Sequence, residues 1–422
     1  MKFSCIALFV MLNLILSNCN SHPKQTGTKY SEAKVNTVEK NNQQKFSRND
    51  STIYPGAYQI DQYIDSIKNK KIVIVANATS RIGSQYLVDS LTKHGIDIKI
   101  IFAPEHGFRG EADAGEELKN YTDTKTGLPV FSLYGESKKP TKESLKNIDI
   151  ILFDIQDVGV RFYTYISTLH YVMEAAAENK IKVIVLDRPN PNGFYVDGPV
   201  LEKNEKSFVG MHPVPIVFGM TIGEYAMMIN GEGWLKNGIK CNLQVVNCKN
   251  YNHKSIYNLP AKPSPNLRDN KSIYLYPSLC LFEGTVVSVG RGTDHPFKVI
   301  GYPGFSDKNF FFVPASIEGA NKPLYNQQKC FGIDLTKIDE NELINFPKFN
   351  LKWIQLMYED ATDKENFFLK GNFFNKLAGN HLLMQQIKDG ISEDKIREIW
   401  QKDLEVFKIT RKKYLLYPDF EK

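Results

Sequence analysis

Ile148-Asp149-Ile150-Ile151-Leu152-Phe153 runs into Asp154-Ile155-Gln156-Asp157, and Ile181-Lys182-Val183-Ile184-Val185-Leu186 runs into Asp187-Arg188-Pro189-Asn190. Each is a short apolar, largely β-branched run that stops at a polar cluster, the pattern of a buried strand ending in a loop. Between them Ile166, Leu169, Met173 and Ala177 recur at three- and four-residue steps and predict a helix over 165–179 with one apolar stripe. Strand, helix and strand in that order make a βαβ unit, whose strands must be parallel.

The same pattern extends in both directions. Apolar runs at 72–77, 98–103 and 214–218 complete a set of five expected strands, and 222–234 reads as a second helix. Strands this uniformly apolar need helices on both faces of the sheet. The expected fold class is therefore α/β, a Rossmann-like parallel sheet forming an N-terminal domain. Beyond the Pro-rich stretch Lys262-Pro263-Ser264-Pro265, short β-like runs and helices near 379–391 and 395–409 predict a smaller α+β C-terminal domain.

A length of 422 residues is two or three domains' worth at roughly 100–200 residues per domain. The boundaries expected are a signal peptide over 1–18, a lipid-anchored tether over 19–55, a catalytic domain over 56–262 and an auxiliary domain over 263–422. Lys2, the apolar run 6–16 and Leu16-Ser17-Asn18-Cys19 form an export signal resembling a bacterial lipobox, with Cys19 the thiol to be lipidated. Asn18 departs from the usual Gly or Ala, which leaves ordinary signal cleavage as the alternative. The apolar run is shorter than the roughly 20 residues that span a bilayer, so membrane contact is expected through the anchor only. Export to the cell envelope of a Gram-negative bacterium follows from the signal and tether. A net charge of +6 spread along the chain gives no basic patch for nucleic acid. Cys241, Cys248, Cys280 and Cys330 lack metal-ribbon spacing, and disulfide or buried thiol are both open to them.

What ends each strand carries the chemistry. The run 98–103 leads into Pro104-Glu105-His106-Gly107-Phe108-Arg109-Gly110, so three polar clusters fall at strand C-terminal ends, the edge where open α/β sheets bind ligands. No Gly-x-Gly-x-x-Gly turn or phosphate loop follows the first strand, so no cofactor is called for. Carboxylates with Arg109, Arg161, Arg188, His106 and Asn190 suit hydrolysis of a polar or anionic substrate. Glu105 is the first choice as general acid or base, against the alternative of a helix cap. Asp154 and Asp157 are candidates to work with it, or else tie down a loop or an arginine. His106 orients Glu105, contacts substrate or is a structural loop histidine. Tyr163 offers a ring for stacking on a sugar face, or packs the following helix. Glu283 and Arg291, the latter between Gly290 and Gly292, are either substrate contacts or an ion pair in a glycine-rich hairpin. A metal hydrolase ranks second, without a His-x-His or His-Glu-x-x-His motif to support it, and no metal ligand is assigned.

Taken together, the strings at 104–110, 153–165, 186–199, 218–221, 263–267 and 282–297 resemble the bacterial exo-β-N-acetylmuramidases, a family long described only as a domain of unknown function. The resemblance implies a Rossmann-like catalytic domain, a smaller second domain and an active site in the cleft between them. It implies removal of N-acetylmuramic acid from the non-reducing end of peptidoglycan fragments, with the family's catalytic glutamate falling on Glu105; a monomer or dimer is expected. Arginines would then grip the lactyl carboxylate of the sugar. For the second catalytic group Asp154, Asp157, Glu283 and the substrate's own acetamido group stay open, and with them retaining or inverting chemistry. The competing classes are a metal-dependent amidase or esterase on cell-wall material and a non-catalytic muramyl-sugar-binding lipoprotein.

Overall fold

The computed structural model describes residues 52–110, 115–116 and 119–421. The signal, Cys19 and almost all of the expected tether lie outside the described residues. No helix among the described residues is long and apolar enough to cross a membrane.

Seven strands form one sheet. In chain order they are β1 (Lys71–Ala76), β2 (Asp97–Ala103), β3 (Tyr121–Thr122), β4 (Pro129–Ser132), β5 (Ile150–Asp154), β6 (Lys182–Leu186) and β7 (Leu243–Val246). Their spatial order is β3-β4-β2-β1-β5-β6-β7, parallel throughout except where the two-residue edge strand β3 pairs antiparallel with β4. Register pins the centre: Val75 pairs with Phe102 on one side and Phe153 on the other. Strand order reverses about β1, because the chain goes out through β2 and β4 and returns to β5 on the other side. The loop after β1 leads to one side and the loop after β5 to the other, so they part there and leave a crevice.

The helix expected over 165–179 spans Tyr165–Glu178. It is buried over most of its circumference, since loops cover the face that the sheet does not. The next helix is Ile222–Gly231, opened by a capping box in which Thr221 and Glu224 each satisfy the other's backbone N–H.

One expected strand is corrected. Residues 214–218 are buried, yet Val217 makes only isolated bridges to Val160 and Asp197. Pro213 and Pro215 remove two N–H donors that a ladder needs. The sheet position is taken by Leu243–Val246, a half-buried edge strand whose weak apolar signal hid it.

The C-terminal part is α+β. Strands Val299–Tyr302, Phe311–Phe312 and Cys330–Asp334 form an antiparallel sheet, and helices follow, the longest being Glu393–Lys412. Gly379 ends the helix Phe373–Ala378 in a left-handed conformation rather than starting one as expected, and the following helix is Leu382–Lys388.

Buried polar side chains tie this part to the parallel sheet. Arg161, wholly buried, donates to the carbonyls of Pro199 and Val214 at 2.7 and 2.8 Å and of Leu377 and Ala378 at 3.0 and 2.7 Å. Arg411 donates to Gly219, and Tyr417 donates to Asp187 at the end of β6. Cys241, Cys248, Cys280 and Cys330 are separate buried thiols, which settles the choice left open by their spacing.

Candidate active site

Glu105 follows β2 by two residues. Pro104 stops the strand, and the chain then turns through His106 at φ 71° and Gly107 at φ 75°, with the Gly107 N–H closing onto the Pro104 carbonyl at 3.0 Å. A buried histidine in the left-handed region costs about 1–3 kcal/mol, strain of the kind that gathers at functional sites. The turn swings the Glu105 carboxyl over the sheet edge, where it accepts from the Gly115 N–H at 2.9 Å and the Thr164 hydroxyl at 3.3 Å. No cation pairs with it among the described residues.

Glu105 lines a cavity of about 730 Å³. His106, Tyr163, Glu283 and Arg291 share its walls, so five of the expected residues, drawn from positions nearly 190 apart, meet at one place. The rings of Tyr134, Phe208, Phe297 and Phe373 make much of the remaining wall. Glu283 and Arg291 are paired at 2.5 and 2.9 Å, and the Cys280 thiol donates to the second Glu283 oxygen. The ion-pair reading therefore holds, and the pair faces the cavity. Tyr163 packs edge-on against Tyr165 and donates from its hydroxyl to the Pro263 carbonyl at 2.7 Å, fixing the Pro-rich crossing as part of the wall.

The other expected residues are placed elsewhere. Asp154 is fully buried at the end of β5 and takes two hydrogen bonds from Arg188, at 2.6 and 2.9 Å. Neither reaches the cavity, because each is the other's only means of ionising away from water. Arg161 is spent on the four carbonyls named above. Asn190 bonds to Met220 and Asn192 inside the loop after β6. Arg109 grips Asp123 at 2.7 and 2.8 Å and lies over the Tyr86 ring, so it locks one loop to another. The hydrogen bonds from Arg109, ahead of those from Thr126, hold the Asp123 carboxyl down at about 2.

Asp157 is also off the cavity walls. One oxygen accepts from Gly159 N–H at 2.6 Å, and the other is buried with no partner. Burial pushes this carboxyl up to about 7, against the opposing backbone bonds. A carboxyl easier to protonate folded than unfolded contributes its stability below about pH 4 and loses it as pH rises towards 7. Asp157→Asn keeps the acceptor and removes the charge. Its thermal stability relative to the wild type is expected to rise steadily from pH 4 to 7 and then level off, a change of about 3–5 kcal/mol. A pH-independent difference in melting temperature between the two proteins would refute this account.

Thr164, Glu116, Tyr134, Phe208 and Phe373 were not legible as site residues. Thr164 adjoins an expected residue, whereas the aromatics stand alone in the chain with no local pattern to mark them. No group of three His, Cys, Asp or Glu side chains among the described residues is placed to hold a metal ion.

With this geometry in hand, comparison with known proteins is direct. The family model for the N-terminal domain of exo-β-N-acetylmuramidase NamZ matches residues 72–271, and that for its C-terminal domain matches residues 274–417. Peptidoglycan β-N-acetylmuramidase NamZ of Bacillus subtilis is 41% identical over 379 residues, covering 85% of this chain and 89% of that protein. Two crystal structures of DUF1343 family proteins from Bacteroides fragilis are similar in fold. One has a TM-score of 0.81 at 45% identity and covers 87% of this chain and all of its own. The other has a TM-score of 0.71 at 29% identity, covering 86% and 99%. An α/β sheet with a carboxyl presented over its crevice, and family matches running almost end to end along the described residues, lead to one conclusion: the chain belongs to the NamZ exo-β-N-acetylmuramidase family and is a glycoside hydrolase.

Proposed function

We propose that this enzyme releases N-acetylmuramic acid from the non-reducing end of peptidoglycan fragments, with Glu105 as the proton donor to the departing glycosidic oxygen. The observation that carries this reading is the setting of Glu105. It accepts from an amide N–H and a hydroxyl and makes no ion pair among the described residues, whereas Glu283 on the same cavity is paired with Arg291. A proton donor must carry its proton when substrate arrives, and a neighbouring guanidinium would oppose that. Entry of a saccharide among the aromatic walls excludes water from the space around the carboxyl. The name of the Bacillus subtilis relative supports peptidoglycan as the substrate.

The test is incubation of purified enzyme, in EDTA, with the disaccharide N-acetylmuramyl-β-1,4-N-acetylglucosamine and with longer muramyl-ended chains. Free N-acetylmuramic acid is the expected first product from both. Release of internal fragments from the longer chains, or no release of the sugar by folded enzyme, would refute the reading.

We further infer export to the cell envelope with a lipid on Cys19, on the strength of the lipobox-like Leu16-Ser17-Asn18-Cys19. Cells fed labelled palmitate are expected to label the wild type and not Cys19→Ser. Equal labelling of both would remove Cys19 as the anchor.

A further inference from the structure

A second cavity, about 570 Å³, adjoins the first and shares His106, Ser264 and Gly319 with it. Its size falls within the roughly 300–1,000 Å³ usual for ligand sites. Its charged lining is Arg81, Lys262 and Arg268 against the single acid Glu318, so it is basic where the first cavity is acidic and aromatic.

The state of its arginines sets this cavity apart. Arg109, Arg188, Arg291, Arg397 and Arg411 are all paired with carboxylates. Among the described arginines three have no carboxylate partner: Arg161, which is enclosed by carbonyls, and the two that line this cavity. Arg81 donates to the Ala78 carbonyl and the Tyr86 hydroxyl and stacks on the Tyr86 ring at 4.1 Å. Arg268 donates from Nε to the Pro265 carbonyl, which leaves the guanidinium's terminal amino groups for another acceptor. Lys262, exposed on the loop between them, has no ion pair among the described residues. The backbone contacts of the two guanidiniums orient them without neutralising them. Two oriented guanidiniums and an exposed ammonium, none of them neutralised, around a concave wall make a carboxylate receptor lacking its carboxylate.

The chemistry of the proposed substrate says what would bring one. In muramic acid the lactyl arm leaves the sugar two ring carbons from the anomeric centre, and in intact peptidoglycan its carboxyl is amide-linked to a peptide stem that carries further carboxylates. With the anomeric carbon at Glu105, the arm must leave the first cavity close by. Adjacent residues of one turn divide the two spaces: Glu105 lines the first, and His106 lines both.

We propose that the second cavity is a subsite for the peptide stem of the substrate, in which Arg81, Lys262 and Arg268 bind the stem's carboxylates. The substrate class is then a muramyl saccharide that still bears its peptide. This rests on the muramidase reading above and narrows it. The bound stem adds contacts that the bare disaccharide lacks, so it raises kcat/KM chiefly by lowering KM.

Three substrates test it with unmodified enzyme: the bare muramyl disaccharide, the same disaccharide bearing a tetrapeptide stem with free carboxylates, and that stem with its carboxylates amidated. The acidic stem is expected to raise kcat/KM about tenfold or more over the bare sugar, and amidation to abolish most of the gain. In the double variant Lys262→Ala/Arg268→Ala the ratio of acidic-stem to bare-sugar kcat/KM is expected to fall to about one, as expected of charge-assisted contacts. Equal or faster cleavage of the bare disaccharide, indifference to amidation, or an unchanged ratio in the double variant would overturn the subsite while leaving the muramidase reading intact. Failure to cleave any of the three would overturn both.

Discussion

Glu105→Gln is expected to lower kcat by about 10²–10⁴-fold on muramyl disaccharide, with KM little changed. The substitution keeps the size of the side chain and one acceptor oxygen for the Gly115 N–H, while its NH2 donates to the Thr164 hydroxyl in place of accepting from it, so the turn through His106 and Gly107 has no reason to move. What it removes is the transferable proton. The loss should therefore fall on the chemical step, and it should shrink for a substrate whose leaving group needs no protonation. An aryl muramide with an acidic phenol, such as a 4-nitrophenyl glycoside, is such a substrate. Near-equal losses on the disaccharide and on the activated aryl glycoside would show that Glu105 is not the acid. Retention of most activity on the disaccharide would remove it from the mechanism altogether.

Asp154→Ala is expected to destabilise the protein by about 3–5 kcal/mol without touching the cavity. The change strands the Arg188 guanidinium, 1% exposed, at the end of β5 with the Arg81 carbonyl at 3.3 Å as its nearest remaining acceptor. The denaturation midpoint should fall by several degrees, and limited proteolysis should open the β5 and β6 ends first. Asp154→Leu combined with Arg188→Met is expected to recover most of the loss, because two apolar side chains can occupy a site that one unpaired ion cannot. A double variant as unstable as the single one would mean that the pair acts through more than its charges. If Asp154 were instead a partner of Glu105 in catalysis, the double variant would fold and be inactive. Its retention of activity is thus the second half of the prediction.

These two residues show how far a linear reading reaches. Both stand at the C-terminal ends of apolar strands that flank β1, and in the sequence they look equivalent. Pro104 and the left-handed turn at His106 and Gly107 carry Glu105 out over the crevice. Asp154 continues the line of β5 and remains beneath, where only a guanidinium can hold it ionised.

The chain by itself determined the parallel core: β1, β2, β5 and β6 and the helix Tyr165–Glu178 follow from apolar runs and periodicity, since burial on two faces leaves a continuous apolar signature. It determined the family through short strings of unusual composition, and it determined that Glu105, His106, Tyr163, Glu283 and Arg291 were worth watching. Only the tertiary structure decided which polar residues face the cavity and which face each other. Arg109, Arg161, Arg188 and Asn190 have the same chemistry as substrate-binding groups, and what separates them is a partner 14 to more than 200 residues away. A guanidinium's role is set by the acceptor it meets, and that acceptor is chosen by the folding of distant segments, which no local pattern encodes.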